Sequence, residues 1–189
     1  AIGGDLSTER LLLAYHNGIF PWFNEDEPIL WWSPPERMVV VPQLYKVSKS
    51  IRNLLNRQQF DVTFNQDFES VIRNCQQIPR KGQDGTWITQ DIIDSYTKLH
   101  QMGLAKSVEV WQNGDLVGGL YGVDLGHVFC GESMFSKVSN ASKIAFVTLV
   151  QYLKDHNYRL LDCQIHNEYL EQLGAFEISR ETFIKVLKS

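Results

Sequence analysis

Asp162, Cys163, Gln164 and Ile165 form a run that reads as part of a β-strand. Successive side chains of a strand point to opposite faces, so Asp162 and Gln164 share one face and Cys163 and Ile165 the other. A neutral amide is a poor base, so a carboxylate and an amide side by side suit positioning better than proton abstraction; the plainer alternative is two polar residues lining a sheet face. A further carboxylate, Glu132, follows Gly131, and glycine lets a second chain come close. Such a carboxylate can pair with an amine or a basic side chain, or form a salt bridge at a rim. Cys163 and His166 stand three apart, which on a strand turns them to opposite sides and rules out a thiol–imidazole dyad. Trp22 and Trp87 fall in loops beside Pro or Gly. An exposed tryptophan there can stack on a nucleobase, worth about 1–3 kcal/mol per base, or staple two parts of the fold together.

The elements that would position these residues alternate in type. Asp5 and Ser7 are helix-capping residues ahead of Glu9–Tyr15, and Gly18 suits the exit. Residues 18–35 are rich in aromatics and prolines, which forbid a continuous helix. Met38–Val41 reads as a short strand, Ser48–Gln58 as an amphipathic helix with a basic outer face, Phe60–Phe64 as a strand and Asp67–Gln76 as a helix. A polar loop from Pro79 to Gly85 leads to a helix capped by Thr89 and closed by Gly103. From residue 107 the period changes to two: Ser107–Trp111, the Asn113-Gly114 turn, the run from Leu116, and His127–Cys130 form an antiparallel meander. Asn140–His156 is a long helix, Arg159–His166 a strand, Asn167–Leu173 a short helix and Ser179–Leu187 a last helix. Helices interleaved with a central, mostly antiparallel sheet make an α+β fold.

Of 189 residues, 43% are apolar and 21% charged, as in an ordinary globular protein. No apolar stretch approaches the roughly 20 residues that span a bilayer, and no basic segment followed by an apolar run opens the chain. A cytoplasmic protein is expected. Cys75, Cys130 and Cys163 are widely spaced, which suggests free thiols, and the five histidines lack zinc-ligand spacing, so no metal is expected. The net charge of −4 argues against nucleic acid, but it hides an asymmetry. Residues 1–36 carry six acids and only Arg10, whereas residues 37–60 carry Arg37, Lys46, Lys49, Arg52 and Arg57 and no acid. A local basic surface on an acidic body can hold a phosphate backbone.

Several runs resemble the leucyl/phenylalanyl-tRNA–protein transferase family: GGDLS at 3–7, GIFPWF at 18–23, ILWWSP at 29–34, GTWIT at 85–89 and SVEVW at 107–111. LVGGLYGV at 116–123, FCGESMFS at 129–136, NASK at 140–143, LLDCQ at 160–164 and LGAFEI at 173–178 extend the match over nearly the whole chain. Three places depart from the family's pattern: Lys106 stands where a His is frequent, Ile165–Leu170 lacks a Thr-x-His pattern, and Pro35-Glu36 replaces Asp-Pro. Members usually extend beyond both ends of this chain, so it looks truncated or short.

The resemblance implies a small N-terminal α/β domain, set at 1–36, and a GNAT-like acyltransferase domain over 37–189. It implies transfer of Leu or Phe, less readily Met, from aminoacyl-tRNA to the N-terminal α-amine of proteins that begin with Arg or Lys, marking them for N-degron proteolysis. By resemblance, Gln164 contacts the reacting amine, Asp162 orients and polarises it, and Glu132 pairs with the acceptor. Leu120, Phe129, Met134, Phe146, Leu149 and Leu153 are candidates for the aminoacyl pocket, although apolar residues on such elements are core by default. Trp87 would hold the terminal adenosine with Trp22 and Tyr96 nearby, and Lys46, Lys49, Arg52 and Arg57 would grip stem phosphates without reading sequence.

The aminoacyl ester is already activated, so neither ATP, coenzyme A nor a metal is needed. The acceptor amine, with a free pKa of about 7.7, is partly neutral near pH 7, and orientation can supply about 7–11 kcal/mol. A monomer is expected. A coenzyme-A acetyltransferase would want a glycine-rich pyrophosphate loop, and Ser136–Asn140 has no glycine. A non-catalytic RNA-binding module accounts for the tryptophans and basic stretch but not for the Asp162/Gln164 face.

Overall fold

The computed structural model describes residues 1–78 and 86–189; the polar loop expected at Pro79–Gly85 lies outside the described residues. The chain runs α1 (Thr8–His16), β1 (Phe20–Pro21), β2 (Trp31–Trp32), β3 (Glu36–Val40), α2 (Lys49–Asn56), β4 (Asp61–Phe64), α3 (Phe68–Gln77), α4 (Gln90–Gln101), β5 (Ala105–Gln112), β6 (Asp115–Asp124) and β7 (Val128–Ser136). It continues with α5 (Ala141–Asp155), β8 (Leu160–Gln164), α6 (Glu168–Gln172), β9 (Phe176–Ser179) and α7 (Arg180–Leu187). A mixed α/β architecture results, in which a seven-stranded sheet of order β4-β5-β6-β7-β8-β3-β9 is flanked by helices. Every neighbouring pair is antiparallel except β7 and β8.

Local chemistry explains the breaks between elements. Asp67 and Thr89 accept hydrogen bonds from the backbone N–H groups of Ser70 and Ile92, satisfying donors that open α3 and α4. Asn113 and Gly114 both have positive φ, the turn that joins two right-twisted strands with two residues between them. Gly122 is required by close approach: a Cβ there would lie 2.2 Å from the Cys130 carbonyl oxygen.

Each face of the sheet carries its own core. One gathers Leu11 and Tyr15 of α1, residues of α3 and α4, and Phe183 and Leu187 of α7. The other gathers Ile51 of α2 and the apolar stripe of α5 from Ile144 to Leu153. Phe20 and Phe23 pack into the first core, so the N-terminal segment is sewn to the sheet by ordinary apolar burial. Among the described residues no helix is long and apolar enough to cross a membrane.

Two of the expected elements change. Residues 20–32, expected to be irregular, contain a two-stranded antiparallel ladder that pairs Phe20 with Trp32 and Pro21 with Trp31. Phe176–Ser179, where the sequence predicts no element, forms edge strand β9 against β3.

Candidate active site

β7 and β8 run side by side only while Val128–Cys130 faces Leu160–Asp162. Beyond that point β7 stays with β6 and β8 stays with β3, so the strands diverge. A cavity of about 370 Å³ lies there, bordered by Gly131–Met134 of β7 and by Leu161, Cys163 and Gln164 of β8. Leu120, Phe146 and Leu149 add an apolar wall. Phe20, Pro21, Trp22 and Trp87 also line it, as do Ile165, Asn167, Tyr169 and Leu170.

Gln164 has a φ of +66°, in the left-handed region that non-glycine residues rarely occupy. The cause is visible in the register, where Met38 pairs with Gln164 and Val39 with Asp162, leaving Cys163 as an extra residue. Such a bulge re-aims a side chain. The expectation that Asp162 and Gln164 share a face is therefore corrected. Gln164 turns into the cavity alongside Cys163, while Asp162 is fully buried on the far side.

Asp162 meets Arg37 there. The guanidinium donates Nε to Oδ1 at 2.8 Å and Nη2 to Oδ2 at 2.6 Å, and Nη1 donates to the Gly18 carbonyl at 3.0 Å. Its carbon also sits 4.8 Å and 4.5 Å from the ring centres of Phe20 and Phe183. Burial works against the Arg37 charge, but Asp162 overcomes it and holds the guanidinium above its ordinary pKa. Asp162 Oδ1 in addition accepts the backbone N–H of Gln164 at 2.8 Å. The Arg37–Asp162 pair thus grips the bulge itself.

Sequence reasoning missed Arg37 as part of the site and counted it as surface charge, yet it is 1% exposed. The signal was an arginine inside the apolar run Arg37-Met38-Val39-Val40, where a charge requires a buried partner.

Glu132 faces Gln164 across the gap. Gln164 Nε2 donates to Glu132 Oε1 at 2.9 Å, and Tyr15 Oη donates to the same oxygen at 2.7 Å. Behind it, the hydroxyls of Tyr15 and Tyr96 are themselves hydrogen-bonded. Burial raises the Glu132 carboxyl to about 8; the Asp162 charge adds to this, while the Tyr15 and Gln164 hydrogen bonds and Arg37 oppose it. Burial first, and Glu132 second, put both tyrosine hydroxyls well above their usual range, so they remain neutral.

A raised carboxyl pKa has a sign that can be measured. Folded Glu132 keeps its proton up to about pH 8, whereas the unfolded chain releases it near the ordinary value of 4.5. Stability should therefore decline as pH rises between those values and level off above them. Urea unfolding across that range should show a smaller decline in Glu132→Gln, and an unchanged slope would reject the shift.

The remaining candidates divide. Leu120, Met134, Phe146 and Leu149 line the cavity, as do Trp22 and Trp87, although Trp87 is only 7% exposed. Phe129 and Leu153 do not line it; they are packed into the core on the α5 face. Tyr96 is 0% exposed and turned to Tyr15, so it stands behind Glu132 and presents no surface to a base. Lys46, Lys49, Arg52 and Arg57 are exposed on and beside α2. Burial, then Asp162, raises the Cys163 thiol far above its ordinary value, which keeps it a protonated, weak nucleophile. Among the described residues no three His, Cys, Asp or Glu side chains converge to hold a metal ion.

Comparison with known proteins identifies relatives along the whole chain. The family model described as leucyl/phenylalanyl-tRNA protein transferase matches residues 39–188, and the model of that family's N-terminal domain matches 4–35. The leucyl/phenylalanyl-tRNA–protein transferase of Flavobacterium johnsoniae is 64% identical over 189 residues, covering 100% of this chain and 89% of its own. Those of Christiangramia forsetii and Pseudomonas fluorescens are 57% and 54% identical, covering 99% of this chain and 89% and 82% of theirs. Among solved structures, L-PGS from Bacillus licheniformis is similar in fold, with a TM-score of 0.50 and 16% identity over 85% of this chain and 52% of that one. With its two matching segments and relatives above half identity, the chain belongs to the leucyl/phenylalanyl-tRNA–protein transferase family.

Proposed function

We propose that the protein transfers Leu or Phe, and less readily Met, from aminoacyl-tRNA to the N-terminal α-amine of proteins beginning with Arg or Lys, marking them for N-degron proteolysis. Family membership supports the reaction. The observation that carries the reading of the site is the meeting, in one cavity between diverging strands, of an apolar wall with the Glu132–Gln164 pair.

In this reading the leucyl or phenylalanyl side chain rests against Leu120, Met134, Phe146 and Leu149, with Leu161 and Leu170 completing the wall. Trp22 and Trp87 flank the terminal adenosine. The acceptor nitrogen attacks the ester carbonyl carbon; a C–N bond forms, the C–O bond to the ribose breaks, and the ribose oxygen gains a proton as the amine loses one. Because Gln164 spends its Nε2 on Glu132, its carbonyl oxygen is left to accept an amine N–H. Glu132 supplies the charge for a cationic acceptor: a cation in the cavity favours the carboxylate and draws off its proton. Pocket selectivity of about 1–3 kcal/mol per methylene is compatible with overlap among Leu, Phe and Met.

Residues 1–36 act as a small domain that forms one side of the cavity, and 37–189 act as a GNAT-like domain that supplies the rest. The protein works as a cytoplasmic monomer. Lys46, Lys49, Arg52 and Arg57 hold donor phosphates. Changing both Lys49 and Arg52 to Ala should weaken aminoacyl-tRNA binding and flatten the plot of log affinity against log salt by about 0.9 for each phosphate no longer neutralised. A salt slope equal to wild type would remove α2 from the donor's path.

The direct test offers Leu-tRNA carrying radiolabelled leucine, without coenzyme A or ATP, to peptides starting with Arg or with Ala. Label on the Arg peptide alone is expected. Label on neither, despite tRNA binding, would favour a binding module.

A further inference from the structure

The rim of the cavity carries a surface that the reacting groups do not use. Trp22 forms part of the mouth and is 39% exposed; Trp32, further out, is 44% exposed. The β1–β2 ladder holds Trp32, the Trp22 backbone N–H donates to the Leu30 carbonyl at 2.9 Å, and Trp32 Nε1 donates to the Trp22 carbonyl oxygen at 2.7 Å. The two rings are 6.3 Å apart and tilted by 57°, so they are not stacked face to face. With its one polar atom committed, Trp32 offers flat apolar surface. That suits a planar group able to stack without a hydrogen bond.

Positive charge stands one residue further along the chain. The next residue, Ser33, lies in a second groove, of about 660 Å³, with Pro35, Arg180, Glu181, Lys185 and Lys188. Glu181 pairs with Lys185 at 2.7 Å, and Arg180 Nη1 donates to the Ser33 carbonyl at 2.7 Å. Three cations against one acid leave the groove positive. Its helix, α7, packs on the opposite face of the sheet from α2, so the groove is separate from that basic helix. An aromatic step leading into a positive groove is the surface that single-stranded nucleic acid uses.

Resting on the transferase reading, we propose that Trp32 stacks the base immediately 5′ of the donor's terminal adenosine, and that the Arg180–Lys188 groove takes the phosphates beyond it. The acidic turn at Glu25, Asp26 and Glu27 marks a basic acceptor peptide as the rival occupant.

Three leucylated donors separate these readings: adenosine, the cytidylyl-adenosine dinucleotide, and intact tRNA. Wild type should gain in kcat/KM when the cytidine is added. Trp32→Ala should lose that gain, falling about tenfold on the dinucleotide and on tRNA while matching wild type on leucyl-adenosine. Trp32→Phe should keep most of it, and Lys185→Ala with Lys188→Ala should flatten the salt dependence with tRNA alone. The proposal is overturned if wild type gains nothing from the cytidine, if Trp32→Ala loses equally on all three donors, if it loses on none, or if the loss appears only in the acceptor's KM. Failure of wild type to transfer from any donor would overturn the transferase reading itself, a distinct result.

Discussion

Gln164→Ala is expected to lower the single-turnover rate of transfer by about two orders of magnitude, the scale on which small misplacements of reacting groups act. Aminoacyl-tRNA affinity should hold, because the wall that receives the donor is built from other residues. Three features converge on this side chain. Its amide is oriented by Glu132, its backbone N–H is held by Asp162, and its φ of +66° is kept by a bulge. Backbone held in a sparsely populated region persists only where its surroundings over-determine it. A Gln164→Ala protein with an unchanged single-turnover rate would end the assignment. Equal loss in rate and in tRNA affinity would make the residue a part of the wall.

Arg37→Met should have the largest effect on stability, about 3–5 kcal/mol, because it leaves the fully buried Asp162 carboxylate without a counter-charge. Urea unfolding gives the number. The double change of Arg37→Met with Asp162→Leu should recover most of it, since a buried ion pair replaced by apolar side chains of similar volume is often neutral or stabilising. Transfer should not recover, because the Gln164 backbone N–H would have lost its acceptor. Recovery of both would show that the pair serves packing alone.

How much of the molecule was legible in the residues depended on the range of the interaction that decides each feature. The β5–β7 meander was readable because alternation and the Asn113-Gly114 turn are local signals, and α5 because its apolar stripe repeats over fifteen residues. β9 was not, since four residues against β3 across more than a hundred positions of chain leave no local mark. The Asp162/Gln164 face failed for the same reason: a period of two assumes an unbroken ladder, and the bulge is fixed by pairing with Met38 and by a hydrogen bond to a carboxylate that Arg37 holds. Charge was misjudged only where burial reversed its meaning. Arg37 was grouped with Lys46, Lys49, Arg52 and Arg57, four exposed cations, and only the sheet distinguishes it from them.

The cavity's two sides are unequally fastened. The β7 side belongs to the central sheet, but α6 contributes no fully buried residue, and Tyr169 reaches α5 through a hydrogen bond to Ser142 at 3.2 Å. Such a bond is worth about 0.5–1.5 kcal/mol, a small fraction of what holds the sheet. The α6 wall, held by this bond and by the packing of Leu170 on the α5 core, is the less costly of the two to disturb, and Glu132 and Gln164 stand on the strands of the other.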